Sequence, residues 1–159
     1  MGIKSFIASR KHNSKLNKSV SQNVPIKVSD YMTRKLITFR PEQTIEEVIQ
    51  ALIRYKISGG PVVNERKELI GIISEGDCLK QISDSRYYNM PLEQQNVEHR
   101  MVTNVETIDG NMNVFDAANK FLESKIRRFP IVEKGKLVGQ ISQKDILKAA
   151  IKLKGQTWK

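Results

Sequence analysis

The stretch Leu69-Ile70-Gly71-Ile72-Ile73-Ser74-Glu75-Gly76-Asp77-Cys78-Leu79-Lys80 returns 68 residues later as Leu137-Val138-Gly139-Gln140-Ile141-Ser142-Gln143-Lys144-Asp145-Ile146-Leu147-Lys148. In each copy a β-rich apolar run gives way at a serine, with Asp three residues on, which reads as a strand feeding directly into a helix. Outward from there, residues 28–80 resemble 97–148, at an offset of 69 before a one-residue gap and 68 after it. Met32, Thr38, Lys56-Ile57, Pro61 and Val63 are matched by Met101, Thr107, Lys125-Ile126, Pro130 and Val132. Matches in one order across the span make the chain a tandem of two similar units.

Each unit reads alike. Leu36 to Phe39 is a short strand candidate, followed by Pro41 and by Thr44-Ile45-Glu46-Glu47, a capping box at a helix start. Ile45, Val48, Ile49, Leu52 and Ile53 recur at helical spacing and predict one buried face. Val114, Ala117, Ala118, Phe121 and Leu122 repeat that face in the second unit. Pro61–Val63 with Leu69–Ile73, and Pro130–Val132 with Leu137–Ile141, are strand pairs joined by polar connections short enough to be hairpins. A helix from Ser74 and another from Ser142 complete β-α-β-β-α per unit. The expected class is therefore mixed α+β, with two units packed as a pseudo-twofold pair, because about 50 residues bury little core alone. The expected organisation is a basic arm (1–27), unit 1 (28–83), a polar connector (84–96) carrying Pro91, unit 2 (97–150) and a basic tail (151–159). Tyr87 and Tyr88 are expected to pack onto the core.

Composition narrows the classes. The chain has 159 residues, 39% hydrophobic and 28% charged, an ordinary globular balance. No apolar run approaches the roughly 20 residues that span a bilayer, and MGIKSFIASR does not read as a secretory signal. Phe6 stands where an N-myristoylation motif wants Ser or Thr. A single cysteine, Cys78, and two separated histidines, His12 and His99, cannot supply the four ligands of a structural zinc site. A reducing cytoplasm is the expected location. The net charge of +10 sits at the ends: residues 1–27 carry six bases and 149–159 carry three, with no acid in either. Residues 28–148 hold 18 bases against all 17 acids. Basic arms suit nucleic acid, an acidic partner, or simple solvation. Gly59-Gly60-Pro61 lacks the lysine of a phosphate loop, and no nucleophile elbow or carboxylate pair stands out, so no enzymatic activity is expected.

The duplicated Ser-x-x-Asp is where ligand chemistry is expected. A hydroxyl, a carboxylate and the positive end of a helix gather there, suited to phosphate and to vicinal ribose hydroxyls. The same residues also serve as N-caps.

The paired signatures Gly71-Ile72-Ile73-Ser74-Glu75-Gly76-Asp77 and Gly139-Gln140-Ile141-Ser142-Gln143-Lys144-Asp145 resemble those of the CBS domain family. Lys56 to Val63, Lys125 to Val132 and the Met32-Thr33 opening support the likeness, over about 120 residues. The resemblance implies a stand-alone CBS pair that binds an adenine nucleotide (AMP, ADP or ATP), with S-adenosylmethionine, NAD-type cofactors and cyclic dinucleotides as alternatives. It places Thr38, Ile57, Ser58, Ile72, Ser74 and Asp77 in a first site. A second site would hold Thr107, Ile126, Arg127, Gln140, Ser142 and Asp145. Arg127 and Arg128 stand where family members carry a phosphate-binding basic pair, or else they offset a helix C-terminus. A flat homodimer through the helical faces and a regulated partner protein are also implied. A ligand-free scaffold, and a nucleic-acid-associated regulator acting through the basic arms, are the competing classes.

Overall fold

The computed structural model describes residues 26–89 and 91–157. Most of the N-terminal arm lies outside the described residues. After a 3-10 turn at Val28–Asp30 come α1 (Ile45–Tyr55), β1 (Gly59–Val63), β2 (Leu69–Ser74) and α2 (Glu75–Tyr88). A second 3-10 turn, Leu92–Gln94, leads to α3 (Val97–Arg100), α4 (Val114–Ser124), β3 (Arg128–Glu133), β4 (Lys136–Ser142) and α5 (Gln143–Thr157). The chain is thus α+β, with two antiparallel hairpins and a helix on either side of each in sequence.

Local chemistry sets the helix ends. The Glu47 amide donates to Thr44 Oγ1 and the Thr44 amide donates to the Glu47 carboxylate, both at 3.1 Å, closing the capping box. Lys56 and Lys125 end α1 and α4 in the left-handed region, at φ 54° and 55°. Each hairpin carries a bulge at the same place, between Val62 and Val63 and between Ile131 and Val132.

Four sequence expectations are corrected. The first strand of each unit shrinks to one parallel bridge, Phe39 to Val62 and Ile108 to Ile131. Phe39 donates to the Pro61 carbonyl and accepts from Val63, both at 2.9 Å. Extending that ladder upstream needs an N–H on Pro61 or Pro130, and proline has none. Ile53 and Leu122 are 73% and 80% exposed rather than buried. Eight residues advance a helix about 80° past two full turns, which carries them off the buried stripe. Residues 84–88 and 151–157 are helix rather than connector and tail: α2 runs to Tyr88, and α5 buries Leu153 one turn beyond Ala149. Tyr87 and Tyr88 are exposed.

The two units exchange their opening segments. Val28 and Met32 belong to the second unit's core, whereas Val97 is buried in the first unit's core, with Met101 packed against it. The backbone bonds are pseudo-symmetric: Val28 donates to Met112 and Val97 to Gln43, each at 2.8 Å. Thr33 exchanges both backbone bonds with Gln140, as Val102 does with Ile72. These pairings lay each unit's opening segment on the other unit's sheet edge, and the hairpins themselves meet at the Glu68–Lys136 bridge. The pairings also explain the signature glycines: a Cβ on Gly71 would lie 2.6 Å from Met101 Sδ, and one on Gly139 would lie 2.7 Å from Met32 Sδ.

Candidate functional site

Two clefts open where the hairpins meet. The first, of about 280 Å³, is walled by Thr33, Lys35, Leu36, Ile37, Ile57, Gly59 and Pro61 of the first repeat with Arg128, Gln140, Ser142 and Asp145 of the second. The other, of about 240 Å³, joins Ser58 to Pro61, Ile72 and Ser74 to Ile126, Arg127, Arg128, Pro130 and Gln140. Gly59, Pro61, Arg128 and Gln140 line both.

The predicted site residues are therefore brought together differently from their order in sequence. Ile57 lies with Ser142 and Asp145, not with Ser74. Ser58, Ile72 and Ser74 share a cleft with Ile126, Arg127 and Gln140. The cause is the Thr33–Gln140 pairing followed by the Phe39–Val62 bridge, so that residues 35–37 cross from the second unit's sheet to the first's. Thr38, Thr107 and Asp77 line neither cleft. Lys35, Leu36, Ile37 and Pro61 are wall residues that sequence reasoning missed. A pairing between the units would have identified them, and a single sequence carries no signal for it.

The two Ser-x-x-Asp turns differ in detail. The Ser142 amide donates to Asp145 Oδ2 at 2.9 Å, and the Asp145 amide donates to Ser142 Oγ at 3.1 Å. In the first unit both the amide and the hydroxyl of Ser74 donate to Asp77 Oδ2, at 2.9 Å each. One oxygen of each carboxylate is thus spent on holding the turn, and Oδ1 remains for a ligand hydroxyl. Behind each serine the helix is tied to the preceding junction, because Glu75 donates to Ser58 at 2.9 Å and Gln143 to Arg127 at 3.2 Å.

Charge enters the clefts through Lys35, Arg127 and Arg128. Among the described residues the ion pairs are Arg40 with Glu42 and Arg100 with Asp84, so these three cations are uncommitted. Apolar walls, an anchored carboxylate, a helix N-terminus and free cations together suit an amphipathic anion bearing hydroxyls.

On the helical side, Ile49, Leu52, Ile53, Cys78, Leu79 and Ile82 line a groove of about 640 Å³ between α1 and α2, with Lys56, Glu75 and Arg128 at its polar positions. Burial first, then the charges of Asp77 and Glu75, push the Cys78 thiol up from 9.0 to about 11. It is a packing residue rather than a nucleophile. Gln81, fully buried on the inner side of α2, accepts from Arg100 Nε, and Arg100 pairs with Asp84 at 2.8 Å. No helix among the described residues is long and apolar enough to cross a membrane.

Two interlocked units, each a β-hairpin between helices, with clefts at their seam define a tandem-repeat module. The family profile "CBS domain" matches residues 28–84 and 96–152, and the chain belongs to the CBS domain family. It is similar to the chloroplastic CBS domain-containing protein CBSX1 of Arabidopsis thaliana, 29% identical over 153 residues, covering 80% of this chain and 65% of that one. It is 32% identical over 141 residues to the inosine-5'-monophosphate dehydrogenase of Aquifex aeolicus, covering 81% of this chain and 28% of the enzyme. The chain therefore spans less than two thirds of either relative. Among solved structures, CBSX2 in complex with AMP matches with TM-score 0.70 and 26% identity, covering 82% of this chain and 99% of that one. The CBS pair of MJ0100, with 5-methylthioadenosine and S-adenosyl-L-methionine, matches with TM-score 0.64 and 27% identity, covering 80% and 98%.

Proposed function

We propose that this chain is a non-catalytic, cytoplasmic regulatory module that binds an adenine nucleotide (AMP, ADP or ATP) at its seam and passes occupancy to a partner protein. The observation that carries this reading is the Asp145 cleft. There an anchored carboxylate at the start of α5 stands among Leu36, Ile37, Ile57 and Pro61, with Lys35 and Arg128 beside it. Asp145 Oδ1 is suited to ribose hydroxyls, the apolar wall to a base, and the two cations to phosphate. AMP on CBSX2 and the adenosine compounds on MJ0100 support an adenosine ligand here. Arg127, Ile126, Ser58, Ile72, Ser74 and Gln140 form the second, less acidic site.

The module acts as a homodimer in this reading. Ile53 and Leu79 are 73% and 64% exposed, and their repeat mates Leu122 and Leu147 are 80% and 67% exposed. A pseudo-symmetric apolar surface on both units suits a second copy of the chain. The basic arms remain available for an acidic partner or for nonspecific nucleic-acid contact.

A thermal-shift titration of the full chain with AMP, ADP, ATP and S-adenosylmethionine tests the ligand. Binding to the folded state raises Tm with concentration. No shift with any of the four would end the nucleotide reading and favour a ligand-free scaffold.

A further inference from the structure

Arg128 stands where three hollows meet: the α1–α2 groove, the Asp145 cleft and the Ser74 cleft. The wall between groove and clefts is one residue thick, since Ile57 faces the groove and the Asp145 cleft while Ser58 faces the groove and the Ser74 cleft. That wall is tied to both helices, with Ile57 donating to Leu52 at 3.1 Å and Ser58 accepting from Glu75 at 2.9 Å. Arg128 opens β3, is exposed, and forms no ion pair among the described residues. Its repeat mate is Gly59, which has no side chain to play this part, so the device exists once per chain.

We propose that Arg128 couples the cleft to the groove: a phosphate bound at the seam draws the guanidinium to itself and so withdraws a side chain and its cation from the groove lining. The inference rests on the nucleotide reading above. Glu75 lines the groove with Arg128 but lies beyond ion-pair distance, so it does not hold the side chain there. A phosphate offers a planar guanidinium paired, charge-assisted hydrogen bonds. The bound and free states therefore differ in where this cation sits, which is the differential interaction that a coupled equilibrium requires. By reciprocity, the second copy that covers Ile53 and Leu79 in the homodimer reading alters nucleotide affinity by the same factor.

The single cysteine reads the groove, because Cys78 is 3% exposed on its wall. Alkylation by iodoacetamide at pH 8.5, followed by intact mass, is compared without AMP and at AMP concentrations that saturate each variant in its own calorimetric titration. In the wild-type chain saturation is expected to speed alkylation about fivefold or more, within the usual range of site-to-site coupling. Stabilisation alone would slow it. In Arg128→Ala and Arg128→Gln the rate is expected to be high without AMP and unchanged by it, while Arg127→Ala keeps the response. Calorimetric binding by the wild type with no change in the Cys78 rate overturns the coupling and leaves the nucleotide reading standing. An AMP response that survives in both Arg128 variants does the same. Absence of binding heat with AMP, ADP and ATP overturns the nucleotide reading, and the coupling with it.

Discussion

Gly139→Ala probes the exchange of opening segments directly. Gly139 is buried in β4 opposite Ile131, and its φ lies outside the region that favours glycine, so the added methyl is judged on space alone. That methyl would sit 2.7 Å from Met32 Sδ, 3.0 Å from Met32 Cγ and 2.9 Å from the Thr33 carbonyl oxygen. Comfortable carbon contacts are about 3.5–4.0 Å. Met32 can swing away, but Thr33 cannot without straining the 2.9 Å bond that its carbonyl accepts from Gln140. Overpacking of this kind costs about 1–3 kcal/mol. For a chain of this size that lowers Tm by about 2–4 °C per kcal/mol. Urea unfolding of wild type, Gly139→Ala, Met32→Ala and the double variant provides the decisive cycle. Met32→Ala alone loses about 2–5 kcal/mol through its cavity, and the pair is expected to lose less than the sum by about 0.5–3 kcal/mol. Additive losses would mean that Met32 does not lie on Gly139, and the interlocked arrangement of the units would be wrong.

Asp145→Ala is expected to weaken AMP binding about 10- to 100-fold by calorimetry, the worth of a hydrogen bond to a charged group. The same change removes part of a helix cap and lowers stability by about 0.5–2 kcal/mol; unchanged affinity would exclude the carboxylate from the site. Asp77→Ala, at a carboxylate outside both clefts, is expected to lower stability more than affinity. Ile53→Asp and Leu122→Asp are expected to shift sedimentation from dimer to monomer, and a dimer surviving both would move the interface off the helical faces. The raised Cys78 thiol, about 11 against an ordinary 9.0, gives a signed pH effect. The folded state holds a proton that the unfolded chain has already released. Stability is therefore fully present below pH 9 and falls as pH climbs towards 11, whereas Cys78→Ser should flatten that decline.

Much of the local structure was legible because it is written locally. Thr44 with Glu47 announced the start of α1, and the polar gaps at Asn64–Glu68 and Glu133–Lys136 announced two hairpins, to which the structure adds a bulge in each. What could not be read depends on contacts between distant residues. The missing upstream bond at Pro61 matters only once residue 37 is known to run parallel to it. Ile53 belongs to the helical pattern, yet how wide a stripe of α1 is buried depends on what packs against it, and the drift of about 80° from Ile45 carries Ile53 outside that stripe. The Ser-x-x-Asp turns were recognisable, but grouping Ile57 with Ser74 followed the chain, whereas the fold groups it with Asp145 across the Thr33–Gln140 bridge.

The exchange of Gly59 for Arg128 between the repeats makes the two sites unequal. Because each cleft borrows walls from both repeats, a difference between repeats is felt in both. Gly59 and Arg128 are repeat mates, and both line both clefts, so one guanidinium serves two seams that a perfect duplication would have supplied with two or none. Asp145 lines a cleft whereas Asp77 lines neither, and Lys35 adds charge on the Asp145 side. The Asp145 cleft therefore has a carboxylate suited to ribose and two cations suited to phosphate, and the Ser74 cleft has the hydroxyls of Ser58 and Ser74 and two arginines with no carboxylate. Under the proposed function a nucleotide is expected to fill the first before the second, because once its phosphate engages Arg128 the second is left with Arg127 as its sole uncommitted cation. One tight and one much weaker binding event per chain is the stoichiometry that calorimetry should return. Two equal sites would show that the fold's pseudo-symmetry outweighs the substitution of Arg128 for Gly59.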